Sequence, residues 1–362
     1  ALTPRKTMVN WVPMEVVHTA VLGSSKLTLR PDGSILAAGS HDDAETFIVE
    51  CRTDLPRITA FRLEALADPS LPGGGPGRNS NGNFHLASFE VSTPIRRREP
   101  IRGRYVRIEL PGERRTLRLA EVQVFAPPPE KRESPGAPPP SAVLGGKASQ
   151  SSTEERFPAA MAVNGKYCIR HGTADYSSTR AEQDPWWELD LGGDRAIGRI
   201  VVWNPAYYYF KDELAHFSLI VLDGSRKVVF RRDDIPDPLP AVEVSNSDRK
   251  RIAVASAAAT AHQEWGDYSV TRSLDATTRG WATGLAGQSH AAVYVLERPI
   301  DARATGLTFH LRHCRGGVWQ TAGSLGCFRL LATDQPPPVA VEHVPRDVPL
   351  LTDATRKRNQ RE

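Results

Sequence analysis

The run Tyr207-Tyr208-Tyr209-Phe210-Lys211 places four aromatic rings beside a cation. Exposed rings of this kind present apolar faces and a polar tip, a chemistry suited to stacking on a pyranose. Alternate members could instead pack inward as the continuation of a strand. A second concentration of chemistry is the stretch Arg96, Arg97, Arg98, Arg102, Arg104, Arg107, Arg114, Arg115 and Arg118, set against Glu99, Glu109 and Glu113. Such a face either meets sulfated or carboxylated polysaccharide or nucleic acid, or pairs from strand to strand as a solvated surface. No nucleic-acid-binding motif accompanies it, and nucleic acid is not expected as a partner.

Catalytic signatures are sparse. The histidines, His18, His41, His85, His171, His216, His262, His290, His310, His313 and His343, are scattered, and no Gly-x-Ser-x-Gly or His-Glu-x-x-His frames them. His310 and His313, on a segment that reads as a strand, fall on opposite faces. Paired carboxylates for glycoside hydrolysis stay open, since their separation is a property of space and not of sequence. The cysteines Cys51, Cys168, Cys314 and Cys327 show no C-x-x-C pair, haem attachment or zinc spacing. Cys314 and Cys327 flank the turn Arg315-Gly316-Gly317, where two joined strands could bring them within bridging distance. The other two read as buried thiols.

The elements that must carry these residues read as strands. Phe47 to Cys51, Ile58 to Leu66, Tyr105 to Leu110, Glu121 to Phe125, Ile200 to Trp203, Phe217 to Leu222 and Ala292 to Leu296 are short and β-branched, and turn residues bound them. With Pro 29 and Gly 28 as punctuation and no sustained helical period, the expected class is all-β, built of sandwiches. The 362 residues suggest two domains. A hydrophobic share of 40% gives a sizeable core, and a net charge of +4 argues against a disordered tail or a nucleic-acid coat. The longest apolar stretch, Ile252 to Ala261, is too short and alanine-rich to cross a bilayer, so no membrane span is expected. The chain starts at Ala1 without a basic and apolar leader, which suggests a removed signal peptide or a piece of something longer. Residues 126–141 are proline-rich and read as an extended linker, and 336–362 as a tail.

Two resemblances organise the chain. Gly146 to Ser152, Ala162-Val163-Asn164-Gly165, Asp184-Pro185-Trp186-Trp187-Glu188-Leu189-Asp190-Leu191 and Ile197 to Asn204 resemble the discoidin-like fold, and within it the F-type, fucose-binding lectins. Gly103 to Gly112 with Leu119 to Phe125 is similar to the last strands of that family, here placed first. The resemblance therefore implies a circularly permuted jelly roll whose ordinary ends the proline-rich linker joins. Pro31 to Ala37, Ile58 to Leu66, Asp68 to Arg78 and Asn81 to Phe84 look like a non-haem region of large planctomycete surface or periplasmic proteins that carry cytochrome c-type domains. Together they imply two galactose-binding-like sandwiches, one nested in the other: residues 1–92 plus 247–335, interrupted by 93–246.

The lectin resemblance also supplies site expectations. F-type lectins hold sugar with a His and two Arg, where this chain has Ser178, Pro205 and Glu213, so fucose recognition by that mechanism is not expected. Tyr207, Tyr208, Tyr209 and Lys211, with Arg180 and Ser178 nearby, become the ligand candidates. The family's structural calcium site maps onto Asn164 and Glu121, with carbonyls from Met161 and Lys166, a hard-oxygen set suited to calcium. Of Trp186 and Trp187, at least one must face the core.

The reading that follows is a non-enzymatic, extracytoplasmic, carbohydrate-binding-like module of a larger protein. Its expected ligand is a glycan, acidic or sulfated glycans included, with structural calcium and no haem in this chain. One alternative is an architectural module that docks cytochrome-type domains and binds no sugar. Another is a polysaccharide-active enzyme with a deep carboxylate-lined pocket.

Overall fold

The computed structural model describes residues 9–40, 44–96, 99–127, 145–165, 175–205, 214–238, 241–246, 248–263, 266–274, 280–284, 287–301, 306–314 and 323–341. These form antiparallel sheets and three short 3-10 turns, so the class is all-β. Among them no helix is long and apolar enough to cross a membrane. The chain divides into two compact units, residues 1–94 with 249–362 and residues 95–248.

The first unit packs a seven-stranded sheet over a five-stranded one. The seven-stranded sheet runs in the order Val254–Ala259, His290–Asp301, Arg57–Ala65, Cys327–Thr333, Ile35–Ala38, Lys26–Leu29, with Val12–Pro13 added beside Cys327–Thr333. The five-stranded sheet runs Asp248–Arg251, Leu86–Arg96, Leu307–Cys314, Ala44–Arg52, Glu15–Leu22. Period-two alternation drives the packing: Phe47, Val49 and Cys51 of one strand and Leu307, Phe309 and Leu311 of its neighbour all turn into one core. Phe89 stacks on Tyr294 with ring centroids 3.7 Å apart, and Phe61 meets Phe309 edge-on at 5.1 Å, joining the two sheets across the core.

The Cys314–Cys327 bridge that the sequence left open is not formed: Cys327 is a free thiol, and the two residues lie on strands of different sheets. Cys314 ends a strand of the five-stranded sheet opposite Ala44, whereas Cys327 opens a strand of the seven-stranded sheet opposite Leu36. Cys327 is a buried free thiol, and burial pushes it up to about 11 despite the Arg30 guanidinium 3.8 Å away. Cys51 is likewise a buried free thiol; Cys168 lies outside the described residues. His313 faces the core against Phe47, ring centroids 4.5 Å apart, while His310 on the other side of the strand meets Arg249 at 3.0 Å.

The glycine-rich run after Leu71 is closely packed against neighbouring backbone. A β-carbon on Gly75 would lie 2.3 Å from the Gly82 carbonyl oxygen, and one on Gly77 would lie 2.0 Å from that of Asn83. Only glycine allows that approach. Arg78 turns inward, 3.6 Å from Glu45, and donates to the Ser25 hydroxyl and the Gly39 carbonyl.

Asn83 ties this loop to a distant one. Its Oδ1 accepts from the N–H groups of Phe84, Thr283 and Gly284 at 2.9, 3.2 and 3.1 Å, and its Nδ2 donates to Gln263 at 3.1 Å. Asn83→Ala would strand several buried donors, and a loss of about 2–3 kcal/mol is expected. Asn83→Asp, which keeps the acceptor, should lose less; equal losses in thermal denaturation would contradict the assignment.

The second unit has a five-stranded sheet, in the order Lys147–Gln150, Trp186–Ile197, Ile101–Glu109, Phe217–Leu222, Val228–Ile235, and a three-stranded one, Glu121–Phe125, Arg199–Trp203, Ala241–Ser245. A short pair, Arg118–Leu119 with Ser177–Ser178, lies beside them. The strands on either side of the proline-rich segment, Glu121–Phe125 and Lys147–Gln150, belong to different sheets of this same unit. They share one core built on Val106, Ile108, Val122, Val124, Trp187, Ile200 and Phe217.

Candidate functional site

Glu121 begins a strand and is 1% exposed, an unusual place for a carboxylate. Its register partner is Trp203, and Val122 and Val124 of the same strand fill the core. The side chain reaches the end of a 3-10 turn, Ala159–Val163. That turn is fixed at two points: Ala162 is wholly buried, and the Trp187 indole Nε1–H donates to the Ala159 carbonyl at 3.0 Å. The chain then passes through Asn164 at φ −93° and ψ 1° to Gly165 at φ +77°. A β-carbon on Gly165 would meet no atom within 4 Å, so the glycine is required for its backbone conformation alone.

The turn presents the Gly165 N–H to Glu121 Oε1 at 3.2 Å. Glu121 Oε2 is buried and has no partner among the described residues. Burial pushes this carboxyl from an ordinary 4.5 up to about 7, while the N–H groups of Gly165 and Asn164 pull it the other way. A buried carboxylate oxygen without a donor is costly unless it is protonated or meets a cation. Hard oxygens gathered at a turn fit calcium chemically. No group of three or more His, Cys, Asp or Glu suited to a metal occurs among the described residues. Further ligands would have to come from the Asn164 amide oxygen and from backbone carbonyls such as that of Met161. Asn164 Nδ2 lies 4.0 Å from Met161 Sδ, which places both residues at this turn; Lys166 lies outside the described residues.

The shifted carboxyl has a measurable consequence. With chelator present, the folded form holds the Glu121 proton more tightly than the unfolded chain does. The group therefore favours folding below about pH 4.5, and that contribution is lost as the pH rises through about 7. Glu121→Gln is expected to flatten this part of the stability profile in chelator; a profile with the same slope would contradict the assignment.

The sugar candidates separate. Ser178 is 0% exposed and donates its hydroxyl to Glu154 at 2.7 Å, so it does not face a ligand, and its place in the candidate set is corrected on that ground. Arg180 is exposed, its Nε donating to the Thr153 carbonyl at 3.1 Å and its backbone N–H to the Ser152 hydroxyl at 3.0 Å. Tyr207, Tyr208, Tyr209 and Lys211 lie outside the described residues. Trp187 is wholly buried in the core, while Trp186 is half-buried beneath the Arg107 guanidinium, 4.3 Å from the ring centroid.

Three described arginines of the basic stretch have carboxylate partners. Arg104 pairs with Asp190 at 2.7 Å, Arg107 with Glu109 at 2.6 Å and Glu188 at 3.3 Å, and Arg118 with Glu154 at 3.8 Å. Arg104 and Arg226 both lie over the Tyr105 ring, at 4.9 and 4.5 Å. This is the strand-to-strand pairing that the sequence left as one of two alternatives.

Two features escaped the sequence. Phe157 and Tyr176 stack with centroids 4.5 Å apart and planes 8° from parallel. Gln150 Nε2 contacts the Thr153 hydroxyl and the carbonyls of Phe157 and Ser178 at 3.0 to 3.1 Å, clamping segments 150–157 and 176–180 together. Neither spacing nor periodicity signals contacts between such separated loops. Comparison with family models, with curated proteins and with solved structures finds no match for this chain.

Proposed function

We propose that the chain is a non-catalytic, extracytoplasmic binding module of a larger protein, and that its second unit is a circularly permuted relative of the F-type lectins. In this reading calcium sits at Glu121 and the Asn164–Gly165 turn and orders the loops around it. A glycan is met by the neighbouring loop surface, with Tyr207, Tyr208, Tyr209, Lys211 and Arg180 as its contacts. The observation that carries the reading is the buried Glu121 carboxylate, whose second oxygen has no donor among the described residues, beside a turn fixed by Trp187. That the strands flanking the proline-rich segment share one core supports the permuted order. The resemblances noted in the sequence supply the ligand class and the location.

A glycan array of neutral and acidic sugars, run with calcium and repeated with chelator, tests it. Binding that calcium supports and chelator removes is the expected result. Silence across the array, with calcium still bound, would favour an architectural module that docks other domains. Turnover of a polysaccharide would favour the enzymatic alternative.

A further inference from the structure

We infer that the surface between segments 150–157 and 176–180 of the second unit is a subsite for a saccharide bearing a carboxylate, with Arg180 as its anionic anchor and the Phe157–Tyr176 pair as its stacking platform. The inference rests on the glycan reading above and narrows it to an acidic sugar and to described residues other than the tyrosine run.

The Arg180 side chain is exposed, yet one of its nitrogens is fixed: Nε donates to the Thr153 carbonyl at 3.1 Å. Its backbone is fixed as well, by the Ser152 hydroxyl. The two terminal nitrogens carry no partner among the described residues. A guanidinium held by Nε presents these nitrogens as a planar fork, which matches the two oxygens of a carboxylate and loses less freedom on binding than a mobile side chain.

Nearby carboxylates already have partners. Glu182 Oε1 accepts from the hydroxyls of Ser151 and Ser152, and Glu154 accepts from Ser178 and lies 3.8 Å from Arg118. The basic face of the five-stranded sheet differs in kind, because Arg104, Arg107, Arg226 and Arg231 each have a carboxylate partner there.

The aromatic pair lies on the same two segments. Phe157 and Tyr176 are both half-buried, so part of the stack reaches solvent. The Ser178 N–H donates to the Phe157 carbonyl at 3.0 Å, and the Glu154 N–H donates to the Ser178 carbonyl at 3.0 Å, so the segments run side by side. Gln150 holds them together. Tyr176 and Arg180 are four positions apart, so their backbones lie within about 14 Å of each other. A short oligosaccharide can bridge such a span, with one ring against the aromatic pair and its acid at the fork. The rigid backing limits the ordering cost of binding.

Calorimetric titration of the full chain, with calcium present, tests the assignment. One probe is a trisaccharide ending in glucuronic acid; the other is the same trisaccharide with the carboxylate reduced to the alcohol. The acid is expected to bind at least about tenfold tighter, the effect of one charge-assisted forked contact. Arg180→Met should erase the acid's advantage, bringing the ratio of the two affinities to about one, whereas Tyr176→Ala should weaken both probes and keep the ratio. Equal affinity for the two probes, or an acid preference that survives Arg180→Met, overturns the inference while leaving the glycan reading in place. Binding of a sulfated trisaccharide in preference to the uronate overturns the carboxylate assignment. Silence toward all three probes and across the glycan array overturns both.

Discussion

Glu64→Gln is expected to destabilise the first unit by about 3–5 kcal/mol, the range seen when one partner of a buried ion pair is removed. Glu64 is 3% exposed and sits between two arginines that are themselves 2% and 4% exposed. It accepts from Arg62 Nε at 2.9 Å and from Arg329 Nε at 3.0 Å, with Arg329 Nη2 closer still. Arg62 already has one buried nitrogen, Nη1, without a partner among the described residues, and its guanidinium lies 5.7 Å from the Trp11 ring centroid. Removing the carboxylate would leave two buried cations side by side in a poorly solvated place. Glutamine keeps the shape and one acceptor but not the charge, so it isolates the electrostatic loss. Replacing all three residues by apolar ones of similar volume should be far milder, because no buried charge is then left alone. Denaturant unfolding reads the difference; a loss below about 1 kcal/mol for Glu64→Gln would show that the charges are better solvated than their burial implies.

Trp187→Ala should cost the second unit a similar amount, about 3–5 kcal/mol, by opening a large cavity in its core. Trp187 is wholly buried among Ile108, Leu189 and Phe217 of the same cluster. It has a second role, since its indole N–H holds the Ala159 carbonyl at the start of the turn that leads to Asn164. Trp187→Phe should recover much of the packing but not that hydrogen bond. The phenylalanine variant is therefore expected to fold, with a smaller loss, and to bind calcium more weakly than the unaltered chain. If Trp187→Phe binds calcium with unchanged affinity, the turn does not depend on this tether.

The strand positions were legible where apolar alternation is local. Glu121 to Phe125, Ile200 to Trp203 and Phe217 to Leu222 read as strands from their β-branched pattern, and the structure has strands at Glu121–Phe125, Arg199–Trp203 and Phe217–Leu222. Val228–Ile235 was harder to see, because Arg231, Arg232, Asp233 and Asp234 give an exposed edge strand the composition of a loop. Val254–Ala259 hid in a stretch that reads only as alanine-rich. The glycine turn between Cys314 and Cys327 suggests a hairpin, but the strands ending at Cys314 and beginning at Cys327 belong to different sheets.

Side-chain partnerships were the least legible part. Arg329 and Glu64 are 265 positions apart, and nothing local marks either as buried. Glu121 was singled out through the resemblance to F-type lectins, but neither its burial nor the lack of a partner for its Oε2 among the described residues was legible. Ser178 illustrates the converse, since alignment placed it at a ligand position whereas the fold turns its hydroxyl inward to Glu154. Arg180 and its neighbours depend on how two loops lie together, which no periodic pattern encodes.

The most direct test is calorimetric titration of calcium into the chelator-treated, dialysed full chain, carried out in parallel on Glu121→Gln. Saturable binding at one strong site is expected in the unaltered chain, and its loss in the variant, with both proteins folded. Binding of equal strength in the two, or no calcium heat in either, would contradict the calcium assignment.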